Sequence, residues 1–223
     1  MTKCLIILAL LYTCVSAYAQ NPDILILNMG SPATPKLAKR LDKLGATYVI
    51  PIGLLDKKGI LEYSPKAVII TGSPKSIFDE DAPYASEDFY ELGIPVLGLC
   101  YGMQMIAEQL GGEVKKCSKS EKGVFHVTFT GECGITPPDM AELDVLMDHD
   151  DCVTKLPDDF ITDSKSEITP HALSCSPSRQ LYLIQFHPER YDTAPESGVI
   201  LDLFVKKIVL KEQQTLDEKT IQP

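Results

Sequence analysis

Positive charge is scarce in this chain: 21 lysines and arginines stand against 31 aspartates and glutamates, a formal net charge of −10 at neutral pH. A surface of that sign repels phosphate backbones, so no nucleic-acid partner is expected. A glycine-rich phosphate loop is missing as well, which removes the usual cradle for a nucleotide. There is no Cys-x-x-Cys, and His126, His149 and His171 are scattered, so neither a metal site nor a cofactor is expected. Repeats and long low-complexity tracts are absent. The 223 residues, 44% of them hydrophobic, read as one domain able to bury a substantial core.

No apolar run reaches the roughly 20 residues that a membrane span requires. The run from Cys4 to Ser16 falls short of that length, follows the short positive start Met1-Thr2-Lys3, and precedes Ala17-Tyr18-Ala19, a small-x-small cleavage site. This pattern resembles a secretory signal peptide over residues 1–19, with a domain over 20–210 and a polar tail over 211–223. Secretion is the expectation, with no membrane attachment after cleavage; the alternative is a cytoplasmic protein that retains Met1. Cysteine usage is consistent with export. Of seven cysteines, Cys4 and Cys14 leave with the leader, and Cys117, Cys133, Cys152 and Cys175 remain besides Cys100. Those four allow two disulfides in three pairings, or four reduced thiols in a cytosolic protein.

Strand-like apolar runs recur at Ile24–Leu27, Tyr48–Ile50, Ala67–Ile70, Ile94–Leu97 and Leu181–Phe186, with helical patterns at Lys36–Leu44 and Gly102–Leu110 between them. Continuous apolar strands separated by helices predict an α/β fold, a flavodoxin-like doubly wound, mainly parallel sheet with helices on both faces. Val124–Thr130 and Ile168–Ser174 alternate more and sit among glycines and prolines, which predicts a small antiparallel edge elaboration. Ser197–Leu210 reads as a closing amphipathic helix.

In Gly98-Leu99-Cys100-Tyr101-Gly102 a cysteine stands between small residues where an apolar strand turns into a helix. That is the cysteine counterpart of the serine nucleophile elbow, a sharp turn that presents one side chain at the top of a sheet and in the field of the next helix. Such a setting, or a nearby imidazolium, lowers a cysteine pKa from about 8.5 to roughly 3.5–7.5. Far downstream, Gln185-Phe186-His187-Pro188-Glu189 ends a strand at a proline that cannot prolong the ladder, so His187 and Glu189 are free to face one crevice. A thiol nucleophile needs a general base and a group that holds the base in its tautomer. Cys100, His187 and Glu189 form that set.

These two motifs occur together with Ile69-Ile70-Thr71-Gly72-Ser73-Pro74-Lys75-Ser76, Asp79-Glu80-Asp81-Ala82-Pro83, Gly111-Gly112 and Gly123-Val124-Phe125. In this order they resemble the class I glutamine amidotransferase domain, most closely that of GMP synthetases. The resemblance implies hydrolysis of the glutamine side-chain amide through a γ-glutamyl thioester, with Cys100 as nucleophile, His187 as base and then acid, and Glu189 as its partner. It implies an oxyanion hole from the backbone N–H of Tyr101 and of the Gly72-Ser73 turn. It also implies that Gln104 lines the substrate pocket and that Asp151 faces the substrate ammonium. Two positions depart from the family pattern. Ser73 replaces a glycine, which matters if the turn needs a left-handed φ; Asp150 replaces another, adding a charged side chain near the substrate.

Four functions fit this reading. The first is a free-standing, secreted glutaminase; the second is a γ-glutamyl peptidase; the third is an inactive secreted binding or toxin-like protein that keeps the fold; the fourth is a cytosolic glutaminase subunit serving a separate synthetase. The intact Cys100, His187 and Glu189 weigh against the third.

Overall fold

The computed structural model describes residues 21–211. The expected leader and the tail beyond residue 211 lie outside them.

Nine strands form one sheet: β1 Ile24–Leu27, β2 Tyr48–Val49, β3 Ala67–Ile70, β4 Val96–Leu99, β5 Glu113–Phe129, β6 Glu142–Lys155, β7 Ile161–Lys165, β8 Leu173–Ser176 and β9 Leu181–Ile184. The spatial order is β2-β1-β3-β4-β9-β8-β7-β5-β6. The ladders from β2 through β9 are parallel, and those joining β9, β8, β7, β5 and β6 are antiparallel. The doubly wound, mainly parallel sheet is therefore present, and its antiparallel extension is larger than an edge elaboration. β5 and β6 alone are 17 and 14 residues long.

The parallel strands β1, β3, β4 and β9 are buried at every position. Successive side chains point to opposite faces, so every residue needs cover from one side or the other. On one face, Leu37 and Leu41 of α1 (Thr34–Lys43) and Ile200, Leu201, Phe204 and Val205 near the C-terminus pack on Ile24, Ile26, Ile69 and Leu97. On the other, Ile60 of α2 (Lys57–Tyr63), Phe89, and Met103, Ile106 and Ala107 of α3 (Tyr101–Gln109) pack on Leu25, Val68 and Leu183. The closing helix starts with a 3₁₀ turn, continues as α4 (Gly198–Leu203), and widens to a π-helix over Phe204–Val209. Arg40 of α1 grips Asp202 of α4 through two hydrogen bonds of 2.6 and 2.5 Å.

Some boundaries differ from the sequence reading. β4 begins two residues later than the apolar run, because Ile94 and Pro95 precede the ladder and Pro95 has no N–H to donate. The Ile168–Ser174 pattern is a strand only from Leu173.

Candidate active site

Cys100 follows β4 directly and serves as the N-cap of α3, with φ 49° and ψ −104°. A left-handed φ on a residue with a Cβ stores about 1–3 kcal/mol and persists only when its surroundings over-determine it. Here the Cys100 N–H donates to Ile184 O at 2.7 Å, and its carbonyl accepts from Gln104 N at 3.1 Å. The flanking glycines serve packing rather than the turn itself. A Cβ on Gly102 would lie 2.6 Å from Ile70 O, and one on Gly98 would lie 2.8 Å from the Gly102 backbone. The strain expected of the elbow thus sits on the cysteine, and the glycines let strand and helix approach.

The other side of the site comes from the end of β9. Gln185 N bonds Ala172 O at 2.9 Å and His187 N bonds Leu146 O at 2.9 Å, fastening this segment to the antiparallel half. His187 Nδ1 stands 2.8 Å from Glu189 Oε1, both residues being buried. His187 Nε2 has no hydrogen-bond partner. A Cβ placed on Gly72 would lie 3.4 Å from His187 Cε1 and 3.7 Å from Cys100 Cβ, so the two side chains flank one point. Burial disfavours the imidazolium, but the Glu189 carboxylate and then the Cys100 sulfur outweigh it and hold the His187 pKa well above its ordinary value. Cys100, His187 and Glu189 thus stand near one another, past the ends of β4 and β9.

Gly72 and Ser73 run past this point after β3. Ser73 is not among the described non-glycine residues with positive φ, so its backbone adopts a conformation open to serine and the departure from glycine costs nothing there. The Tyr101 N–H opens α3 and has no acceptor within the helix. Its side chain is tied away by a 2.6 Å bond from the hydroxyl to Pro83 O.

A cleft of about 500 Å³ opens over Cys100. Its far wall is β6. Asp151 accepts a 2.6 Å bond from Ser76 Oγ and stands 2.8 Å from Lys116 Nζ. Gln104 Nε2 donates to Asp151 O at 2.7 Å, so Gln104 sets the wall that carries the acid while also lining the cleft. Asp150 points to Ser120 Oγ and Lys122 Nζ, at 2.5 and 2.9 Å, and these partners hold its carboxyl below the usual range. Arg190 Nη1 lies 3.3 Å from Asp148 Oδ2. The acids of this wall each face a cation, which offsets the charge that Asp150 adds.

Sequence reasoning gave no role to Gln185, whose buried Nε2 donates to Cys100 Sγ at 3.6 Å, nor to Ser76 and Lys116. Gln185 lies in the same motif as His187, two positions before it, and that was the signal within reach.

Among the described residues, Cys117 pairs with Cys152 and Cys133 with Cys175, and Cys100 is free. Among the described residues, the one cluster with ligand atoms close enough for a metal is Cys117, His149 and Cys152, within 4.8 Å of one another. Its two sulfurs are bonded to each other. His149 Nε2 stands 3.1 Å from Glu121 Oε2. Burial opposes the charged form of Glu121, yet His149 and the Ser166 and Thr169 hydroxyls overcome it and hold the carboxyl below its usual range.

Comparison with known proteins bears on the family and the fold. The family model described as glutamine amidotransferase class-I matches residues 25–207. The GMP synthase [glutamine-hydrolyzing] of Tolumonas auensis is 37% identical over 193 residues, covering 83% of this chain and 37% of that protein. That of Nitrobacter hamburgensis is 37% identical over 196 residues, covering 86% of this chain and 36% of that protein. The chain therefore spans a little over a third of the length of these relatives. Among solved structures, a putative GMP synthase subunit from Thermoplasma acidophilum superposes with a TM-score of 0.71 at 24% identity, over 84% of this chain and 94% of that one. A glutamine amidotransferase from Thermotoga maritima gives 0.59 at 19% identity, over 84% of each chain. The two structures agree with this one in fold.

Proposed function

This chain belongs to the class-I glutamine amidotransferase family, and from that premise we propose that it hydrolyses the side-chain amide of glutamine at Cys100. The observation that carries the reading is a free cysteine held in a strained elbow beside a histidine whose Nε2 has no partner and whose Nδ1 faces a buried carboxylate.

In this mechanism the Cys100 thiol gives its proton to His187 Nε2, and the sulfur attacks the amide carbon. The tetrahedral oxygen is held by the Tyr101 N–H and an N–H of the Gly72-Ser73 turn, each such donor being worth about 10²–10³ in rate. His187 passes the proton to the departing nitrogen, ammonia leaves, and a γ-glutamyl thioester remains. Water then attacks the thioester with His187 as base, releasing glutamate and restoring the thiol. Glu189 orients the ring and stabilises its charged form throughout. The substrate's α-ammonium is met by Asp151, at the wall that Gln104 supports.

Incubation of the purified protein with glutamine should release ammonia and glutamate in equal amounts, with kcat lowered about 10⁴-fold or more in Cys100→Ala. The thermal midpoint should stay within a few degrees of the parent. Hydrolysis of γ-glutamyl peptides with glutamine untouched would replace this reading by a γ-glutamyl peptidase. No turnover of either, with no labelling of Cys100 by a glutamine-like electrophile, would make the chain a binding protein that keeps the fold.

The same reading includes export. Two cystines formed by Cys117, Cys133, Cys152 and Cys175 support it, since such bonds persist in oxidising compartments. N-terminal sequencing of the natural protein tests it: a chain beginning at Gln20 supports secretion, and a retained Met1 on a cytoplasmic protein would point instead to a subunit that hands ammonia to a separate synthetase.

A further inference from the structure

The two cystines differ in their surroundings. Cys133 and Cys175 lie within the core. Cys117 is partly exposed, in the irregular stretch of β5 between Lys116 and Glu121, while Cys152 is 2% exposed. Each half-cystine adjoins one partner of the ion pair at the cleft wall: Lys116 precedes Cys117, and Asp151 precedes Cys152. His149 Nδ1 is 3.5 Å from Cys117 Sγ, and Thr169 Oγ1 is 3.5 Å from Cys152 Sγ. Thr169 also donates to Glu121, the carboxylate that faces His149 Nε2. No step of the proposed hydrolysis falls to His149, Glu121 or Thr169, yet His149 lines the cleft and its Nδ1 stands 3.1 Å from Asp151 O, so this buried polar chain joins the disulfide to the wall that carries Asp151.

We propose that Cys117–Cys152 is an exchange site for a low-molecular-weight thiol, and that its oxidation state sets how firmly Lys116 holds Asp151 against the substrate. The second clause rests on the glutaminase reading; the first does not. The incoming thiolate attacks Cys117 Sγ, the more accessible sulfur. A new S–S bond forms there, the Cys117–Cys152 bond breaks, and its electron pair stays on Cys152 Sγ, which takes a proton. A second thiol displaces Cys117 from the mixed disulfide. Two reduced cysteines and one oxidised dimer of the small thiol result, with two electrons transferred.

Chain entropy does not separate the two cystines. Their partners are 35 and 42 residues apart, so loop closure stabilises the two nearly equally. Access to the sulfur does. Lys116 is the last residue of β5 paired with β6 before the register breaks, opposite Asp151 itself. Opening Cys117–Cys152 removes the cross-link at that break and leaves the Lys116 end to strand pairing alone, whereas Asp151 stays anchored by Ser76 and Gln104, neither of which belongs to β5. The acid keeps its place and loses a competing ammonium.

The test equilibrates the full chain in buffers of reduced and oxidised glutathione, traps free thiols by alkylation, and maps them by mass spectrometry while glutamine kinetics are read in parallel. Cys117 and Cys152 should become alkylated at mixtures that leave Cys133 and Cys175 oxidised, and KM for glutamine should fall several-fold with kcat unchanged. A Cys117→Ser, Cys152→Ser double variant should hold that low KM in every buffer, and Lys116→Met should show it while the disulfide is intact. Simultaneous or earlier reduction of Cys133–Cys175 overturns the exchange site. A KM that stays or rises in the reduced protein overturns the link to Lys116. Absence of turnover in every buffer defeats the glutaminase reading instead, and the thiol map still decides the exchange site.

Discussion

Between β2 and β9 the sheet is held by short parallel ladders whose strands are almost wholly buried and roofed by helices on both faces. Between β8 and β6 it is held by antiparallel ladders, of which that of β5 with β6 is long and the others short, and both cystines fall there. β5 exposes most of its residues, so it buries little apolar area and gains proportionally little from the hydrophobic effect. Covalent bonds restrain what packing leaves loose. The difference extends to chemistry: Cys100, His187 and Glu189 follow the ends of β4 and β9 in the packed half, while Asp151 and Lys116 stand on the cross-linked ribbon. On the function proposed above, the packed half holds the reacting atoms and the cross-linked half meets the rest of the substrate.

The sharpest way to break that division is to strike the packed half. Glu189→Gln should lower kcat by about 10²–10⁴-fold, because the amide no longer stabilises the charged imidazole or enforces its tautomer. The pH profile gives the sign. His187 is held above its ordinary pKa partly by the Glu189 charge; removing that charge lets the proton leave more readily, so the acidic limb of kcat/KM, below which the base is protonated, should move to lower pH. An unmoved limb would detach Glu189 from the reaction.

Asp151→Asn strikes the other half. A hydrogen bond to a charged group is worth about 1.5–3 kcal/mol, so KM for glutamine should rise roughly 10- to 100-fold while kcat changes little. A loss confined to kcat would move Asp151 into the chemistry and erase the contrast. Gly102→Ala should then show which half sets stability. Its Cβ would meet Ile70 O at 2.6 Å, a backbone atom that cannot turn away, and overpacking of this kind costs about 1–3 kcal/mol. A calorimetric midpoint lowered by several degrees is the expected result; an unchanged midpoint would show that strand and helix are not in close register at the elbow.

The packed half was largely legible in the sequence, since strands buried on both faces leave unbroken apolar runs such as Ile24–Leu27 and Ala67–Ile70. Cys100 and His187 were legible because a glycine-flanked cysteine and a strand-ending His-Pro are local patterns. β6 was not. Its cleft-side stretch Asp148-His149-Asp150-Asp151 reads as a solvated acidic turn, although His149 and Asp151 are buried by partners from distant segments, Glu121, Ser76 and Lys116. The seven-residue α2 is too short to display a helical period. Disulfide pairing was open in principle, because spacing does not reveal which cysteines the antiparallel register sets opposite one another.

The matched charges around the cleft carry a consequence for encounter kinetics. Lys116 with Asp151, Lys122 with Asp150 and Arg190 with Asp148 form short dipoles rather than a field of one sign, so nothing projects beyond a Debye length of about 8 Å at physiological salt. An amino acid with equal and opposite charges is neither drawn in nor turned back at long range. Its arrival should proceed at the same pace in dilute buffer and in brine.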